Sequence, residues 1–136
     1  MTATTTADTA TGRDSFLRLA MRADAVLTGL VGVVNTLLAS WVAEIAGTTT
    51  GVELGMGAFF IAYGVVVFGL SMLPSVRGAG LAVIFANLAY TVGSVLVVVA
   101  GVWPLTTTGI VLTLATGVYT LVFADLQYIG WRRLKK

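Results

Sequence analysis

The chain has 136 residues, of which 57 % are hydrophobic and only 10 % charged, and its mean hydropathy is +0.97. This composition lies outside the range of soluble globular domains and is typical of an integral membrane protein. The chain contains no Cys and no His, which excludes disulfides, thiolate and imidazole chemistry, and the usual zinc and haem ligands. We therefore expect no enzyme, no cofactor and no metal site.

The sequence predicts two parts, a polar N-terminal tail and a transmembrane domain. Residues 1–12 are small, polar and rich in Thr, which predicts a disordered tail. Residues 13–136 are expected to form a single transmembrane domain. Its first apolar run, residues 25–46, is about 33 Å long as a helix, against a hydrocarbon core of roughly 30 Å. We predict that this run spans the membrane.

Three further apolar runs predict spans over residues 54–73, 81–103 and 110–131. The connections between them are short, so neighbouring spans are antiparallel. The predicted fold is all-α: a transmembrane antiparallel four-helix bundle with up-down topology. In the second span Gly57, Gly64 and Ser71 recur every seven residues, which predicts a stripe of small side chains for helix packing.

The basic residues predict the orientation. Three Arg precede the first span, Arg77 lies between the second and third, and RRLKK follows the fourth, so all eight Lys and Arg lie on one side. The positive-inside rule then places both termini in the cytoplasm. We expect a multi-pass protein of the bacterial plasma membrane.

Polar residues inside the spans are the candidates for function. Asp24 and Asn35 lie on nearly the same face of the first span, and Asn35 near mid-membrane is expected to bond a neighbouring helix rather than a substrate. Asn87 lies in the third span. Asp125 lies in the fourth, six residues before Trp131 and roughly 9 Å from the inner boundary.

We predict that Asp24, Asn87 and Asp125 form a polar cluster in the cytoplasmic half of the membrane, with Arg22 or Arg77 as a charge partner. Three roles stay open for this cluster. Its residues fix the helix register through a buried ion pair and hydrogen bonds, handle a proton or a ligand, or reach the headgroup region.

The charges outside the spans give weaker signals. Glu44 and Glu53 flank the first outer connection and are either solvated acids or an attraction for a cation, a cationic substrate or a basic partner. The C-terminal RRLKK is expected to anchor the topology and attract anionic lipid. This basic surface is too small for binding nucleic acid.

Four features of the sequence carry a resemblance to a known family. They are the segments LRLAMRADAVLTGLVG and FADLQYIGWRR, the small-residue second span and the Asn-containing third span. Over residues 16–133 the chain resembles a family of small four-span bacterial membrane proteins that is common in actinobacteria. The resemblance implies the fold and the membrane location. It implies no activity for any residue.

Two classes of function follow. The first is a non-enzymatic integral membrane protein that self-associates or serves as an accessory or assembly subunit, with the lipid bilayer and a homo-oligomer or larger membrane complex as partners. Small-residue stripes and short connections favour it. The alternatives are a small ion-coupled transporter that uses Asp24 or Asp125 as its carboxylate, and a bundle that binds a lipid or hydrophobic ligand.

Overall fold

The computed structural model describes the backbone of residues 2–134 and the side chains of residues 13–134. Over this part the chain is all-α, as predicted, with five helices: α1 (Thr2–Leu37), α2 (Ala39–Ala46), α3 (Thr50–Leu70), α4 (Arg77–Ala100) and α5 (Thr107–Arg133). The predicted tail, residues 1–12, lies outside the described side chains and stays a prediction.

Three helices, α3, α4 and α5, are long and apolar enough to cross a membrane. Each begins three or four residues before the predicted span, because the polar residues ahead of the apolar run form the first helical turn. The hydroxyls of Thr49 and Thr106 cap α3 and α5 by accepting from the backbone N–H groups of Val52 and Gly109.

The predicted first span differs from the structure. Residues 25–46 are not one straight helix, because the chain bends by 89° between Arg13–Leu37 and α2. These two helices together are long and apolar enough to count as a fourth, bent span. Asn35 consequently lies two residues from the end of α1, whereas the sequence predicted a position near mid-membrane.

Contacts at the far end of α2 hold the bend. Gly47 ends α2 in the left-handed conformation, with φ 82°, which a residue with a side chain adopts at a cost. The backbone N–H of Thr106 then donates to the carbonyl of Ala46 at 3.0 Å. These contacts join α2 to the start of α5, so tertiary packing fixes the direction of α2.

Small residues let α3 pack closely on α1. A methyl group added at Gly64 would lie 2.6 Å from the carbonyl oxygen of Ala25, and one added at Gly32 would lie 2.7 Å from the carbonyl oxygen of Gly57. The predicted stripe therefore faces α1 of the same chain at Gly57 and Gly64. Its third member, Ser71, lies at the end of α3 and is fully buried.

The other long helices leave one side of the assembly open. Helix α4 packs along α5, and α5 packs along α1, whereas α3 and α4 stay apart along most of their described length. They meet through the side chains of Phe60 and Tyr90, whose ring centroids are 5.8 Å apart, and through the hydroxyl of Tyr63, which lies 3.2 Å from Asn87 Oδ1. The space between α3 and α4 is where the largest polar and aromatic groups of the interior meet.

The arginines gather at one end of the assembly, which we call the basic end. Arg18 donates to the carbonyl oxygens of Ser71 and Leu73 at 2.8 and 2.6 Å, which neutralises the negative end of α3. The guanidinium of Arg133 lies 4.6 Å from the ring of Phe16. The ends of α3 and α5 therefore meet the middle of α1 at this end.

Candidate functional site

The carboxylate of Asp24 is the most deeply buried acid among residues 13–134, with no exposed surface. It lies on α1 and accepts four hydrogen bonds. Its Oδ1 accepts from Thr28 Oγ1 at 2.9 Å, and its Oδ2 accepts from Tyr63 Oη at 2.7 Å, Asn87 Nδ2 at 2.9 Å and Gln127 Nε2 at 3.0 Å. One carboxylate therefore joins α1, α3, α4 and α5.

A second set of hydrogen bonds orients these donors. Asn87 Nδ2 also donates to Gln127 Oε1 at 2.9 Å, so both of its protons are used. The hydroxyl of Thr28 has one proton and donates it to Asp24. Tyr119 is therefore the donor in its 2.9 Å hydrogen bond to Thr28. The donors are thus held in place before any ligand arrives. We call Asp24, Thr28, Tyr63, Asn87 and Gln127 the Asp24 network.

The charge of Asp24 is balanced by neutral groups. Within residues 13–134 the one ion pair closer than 4 Å joins Arg18 to Asp14, at 3.0 Å. Two hydroxyls and two side-chain amides surround the carboxylate, all of which can donate to it, and the Tyr63 hydroxyl also lies 3.2 Å from Asn87 Oδ1. A buried negative charge held by dipoles alone attracts any cation that reaches its surroundings.

The Asp24 network lies well inside the helices. Tyr63, Asn87 and Gln127 are seven, ten and six residues from the ends of α3, α4 and α5 at the basic end, which is roughly 9 to 15 Å inward. This position is at membrane depth if the helices span. A buried acid at such a depth is a functional candidate, because it is costly to keep there.

A cavity of about 250 Å³ adjoins the network on the side away from the basic end. We call it the aromatic cavity. Its apolar lining consists of Val31, Phe59, Phe60, Ala86, Leu112 and Ala115, and its polar lining of Thr28, Tyr63, Asn87, Tyr90, Thr116, Tyr119 and Thr120. Five of these thirteen residues are aromatic, and three belong to the Asp24 network. Thr28, Tyr63 and Asn87 line the cavity and also donate to Asp24.

A second polar group lies at the opposite end of the chain's fold. Asn35 Nδ2 donates to the carbonyl oxygen of Glu53 at 2.9 Å and to its Oε1 at 3.1 Å, and Thr48 donates to the other carboxylate oxygen. Glu53 is buried, with 8 % of its surface exposed. Asn35 therefore bonds a neighbouring helix, and it does so next to the bend.

Glu53 lines a larger cavity of about 550 Å³, which we call the Glu53 cavity. Trp41 and Trp103 also line it, and it shares Phe60 and Tyr90 with the aromatic cavity. The two cavities are thus neighbours, with the Phe60–Tyr90 ring contact between them.

The predicted polar cluster is only partly correct. Asp24 and Asn87 lie together as predicted, but Asp125 is exposed and is no part of the network. The buried face of α5 carries Ala124, Gln127 and Gly130, and Asp125 points away from it. Gln127 takes the place that the sequence assigned to Asp125.

The predicted charge partners lie elsewhere too. Arg22 Nε donates to Ser71 Oγ at 3.1 Å, and the guanidinium of Arg77 lies 5.7 Å from the ring of Trp131. Both belong to the basic end, and neither approaches Asp24 or Asp125 within ion-pair distance. Glu44 is exposed on α2, apart from Glu53.

Sequence reasoning missed Gln127, Tyr63 and Tyr119. Gln127 could have been found, because it shares a face with the small residues Gly117, Ala124 and Gly130, which mark a packed side of α5. The tyrosines carry no such signal, since an aromatic residue in a span also serves as ordinary apolar packing. Only the fold shows that their hydroxyls turn toward Asp24.

The comparisons with known proteins give no family. No protein-family model, curated protein or solved structure matches the chain. The resemblance to small four-span bacterial membrane proteins therefore stays a prediction. Function is inferred from the geometry of the site.

Proposed function

We propose that this protein is an integral membrane protein that binds a small, mainly apolar molecule in the aromatic cavity. The observation that carries the proposal is a cavity of about 250 Å³ with five aromatic residues in its lining, adjoining a fully buried carboxylate. Ligand sites combine apolar walls with a few fixed polar groups in this way. This function is the hydrophobic-ligand alternative among the sequence-based hypotheses.

The proposed setting is the plasma membrane of a bacterium. The four long helices form an antiparallel four-helix bundle with up-down topology, and α2 lies across its outer end. The basic end faces the cytoplasm, because Arg18, Arg22, Arg77 and Arg133 gather there and positively charged residues are retained on that side. The open side between α3 and α4 faces lipid and gives a ligand access from within the bilayer.

The size of the aromatic cavity supports binding over a purely structural role. A volume of about 250 Å³ is open to the surroundings and is lined mainly by apolar and aromatic side chains, as the sites that bind small ligands are.

The small-residue stripe gives less support to self-association than the sequence indicated. Gly57 and Gly64 face α1 of the same chain, and Ser71 bonds Arg22. These surfaces are used within the monomer. They are not free to pack against a second copy.

One observation favours the accessory or assembly role as a second candidate. Asp125 is exposed on α5, two turns before the helix ends at Arg133. A charged group facing lipid is costly, and a partner helix with a donor would compensate it. Native mass spectrometry after gentle purification tests this role: Asp125→Asn dissociates the complex if Asp125 holds a partner, and leaves its mass unchanged if it does not.

Ligand binding is tested with two probes of the same shape, benzyltrimethylammonium and neopentylbenzene. Thermal unfolding is followed in detergent for the wild type, Ala86→Trp and Ala89→Trp. Both alanines are exposed on α4, but only Ala86 lines the aromatic cavity, so a Trp there fills it.

We expect at least one probe to stabilise the wild type and Ala89→Trp but not Ala86→Trp. At ten times its Kd a ligand contributes about 1.4 kcal/mol, which is roughly 3–6 °C for a chain of this size. A stabilisation that persists in Ala86→Trp, or that neither probe produces, contradicts the proposal.

A further inference from the structure

The hydroxyl and amide groups that line the aromatic cavity donate their protons in hydrogen bonds to other groups of the protein. Tyr63 donates to Asp24 at 2.7 Å, Tyr119 to Thr28 at 2.9 Å, and Tyr90 to Thr116 at 3.3 Å. The phenol oxygens that remain are acceptors. A ligand that approaches these three rings meets lone pairs.

The threonines and the amide of the lining are used in the same way. Thr116 donates to the carbonyl oxygen of Thr113 at 2.7 Å, and Thr120 donates to that of Gly117 at 2.9 Å. Both protons of Asn87 are bound to Asp24 and Gln127. Within the described lining, the cavity therefore offers acceptors and no free side-chain donor.

The charge around the aromatic cavity has one sign. Asp24 lies behind its wall, and its charge is held by neutral donors. Arg22, the arginine nearest to Asp24 in sequence, turns to Ser71 at the basic end. A cation in the cavity would be attracted to a carboxylate that only neutral donors hold, and this attraction is strong in a medium of low dielectric constant.

The aromatic rings add an attraction for cations. Phe59, Phe60, Tyr63, Tyr90 and Tyr119 all line the cavity, and the face of an aromatic ring carries partial negative charge. Cages of this kind bind substituted ammonium groups through cation–π contacts. Apolar walls and ring faces together favour a cation with an apolar body over a hydrated metal ion.

The neighbouring Glu53 cavity carries a second acid. Glu53 is buried and is held by Asn35 and Thr48, which are also neutral. The rings of Phe60 and Tyr90 lie between it and the aromatic cavity. Both cavities therefore adjoin a buried carboxylate that is held by neutral groups.

We infer that the ligand of the aromatic cavity is an organic ammonium cation with an apolar body, attracted by Asp24 through the acceptors and ring faces of the lining. This inference rests on the proposed function and names its ligand class. The two can fail separately, since a neutral molecule in the same cavity would refute only the ligand class.

The test measures equilibrium binding of three probes that differ in charge: benzyltrimethylammonium, its neutral isostere neopentylbenzene, and the anion phenylmethanesulfonate. The binding of each probe to Ala86→Trp at the same detergent concentration is subtracted, which removes partition into the micelle. We expect the wild type to bind the cation about tenfold more tightly than the neutral probe or better, and not to bind the anion.

Two substitutions assign this preference. Asp24→Asn removes the charge behind the cavity, so the ratio of neutral to cation Kd falls to the smaller preference that the aromatic rings alone provide. Asp125→Asn removes an equal charge from the exposed face of α5, so the ratio stays at its wild-type value. An Asp24→Asn protein that keeps the wild-type ratio would overturn the role of Asp24.

The outcomes separate the two claims even where Asp24→Asn fails to fold. If the wild type binds the neutral probe as tightly as the cation, the inferred ligand class is wrong and the proposed function stands. No probe bound above the Ala86→Trp background overturns the proposed function itself.

Discussion

The hydroxyl of Tyr63 donates to the carboxylate of Asp24 at 2.7 Å, across 39 residues of sequence. This bond ties α3 to α1 inside the assembly, and the same ring lines the aromatic cavity. Packing and the candidate site therefore share one side chain. A substitution in the Asp24 network is expected to affect both the stability of the fold and the shape of the cavity.

The stability of the fold depends on Asp24 rather than on Asp125. Asp24→Asn places an amide against four donors, so we expect it to lower the free energy of unfolding by about 2–4 kcal/mol. Asp125→Asn changes an exposed residue, and its effect should stay within about 0.5 kcal/mol. Thermal unfolding of both variants in one detergent compares them. Equal losses would refute the assignment of the network.

Two glycines of α3 test its packing on α1. Gly64→Ala brings a methyl group to 2.6 Å from the carbonyl oxygen of Ala25, and such a clash costs about 1–3 kcal/mol. Gly55→Ala, on the same helix, meets no atom within 4 Å and should be neutral or stabilising by up to about 1 kcal/mol. Unfolding in denaturant measures both. A stable Gly64→Ala protein would contradict the close approach of the two helices.

The bend at Leu38 can be measured directly, because the natural chain has no Cys that would react with a spin label. Leu30→Cys and Glu44→Cys introduce two exposed sites on either side of the bend. Their backbones should lie roughly 15 Å apart if the helices meet at 89°. A continuous helix would separate them by roughly 21 Å. Distances between the spin labels, measured by double electron–electron resonance, distinguish the two values.

The proposed orientation predicts which connections face the outside of the cell. Thr108→Cys lies at the start of α5 and Ser75→Cys between α3 and α4, and both positions are exposed. A membrane-impermeant thiol reagent should label Thr108→Cys in intact cells and Ser75→Cys only after lysis. The reverse pattern would place the basic end outside, against the positive-inside rule.

The apolar helices were predictable from sequence because hydropathy acts over a whole helix. The bend at Leu38 was not, since residues 25–46 contain no proline. The bend is accompanied by distant contacts, such as the bond from Thr106 to the carbonyl of Ala46. Sequence patterns record what a segment prefers locally, and these contacts join residues 60 positions apart.

The site was predictable only where a lone polar residue interrupts an apolar run. Asp24 and Asn87 stand out in this way, and they do meet. On α5 the charge of Asp125 led to its prediction as a site residue. The buried face of α5, which its small residues mark, carries Gln127 instead. The acceptor lining of the cavity could not be predicted, because it depends on which way the hydroxyl of Tyr119 points.

The most direct test of the account is the position of a bound ligand. Intermolecular nuclear Overhauser effects can be recorded from the nine equivalent methyl protons of whichever probe binds, benzyltrimethylammonium or neopentylbenzene. Binding in the aromatic cavity predicts contacts to the rings of Phe59, Phe60 and Tyr90, which line it, and their loss in Ala86→Trp. Contacts only to Trp41, or to detergent alone, would contradict it.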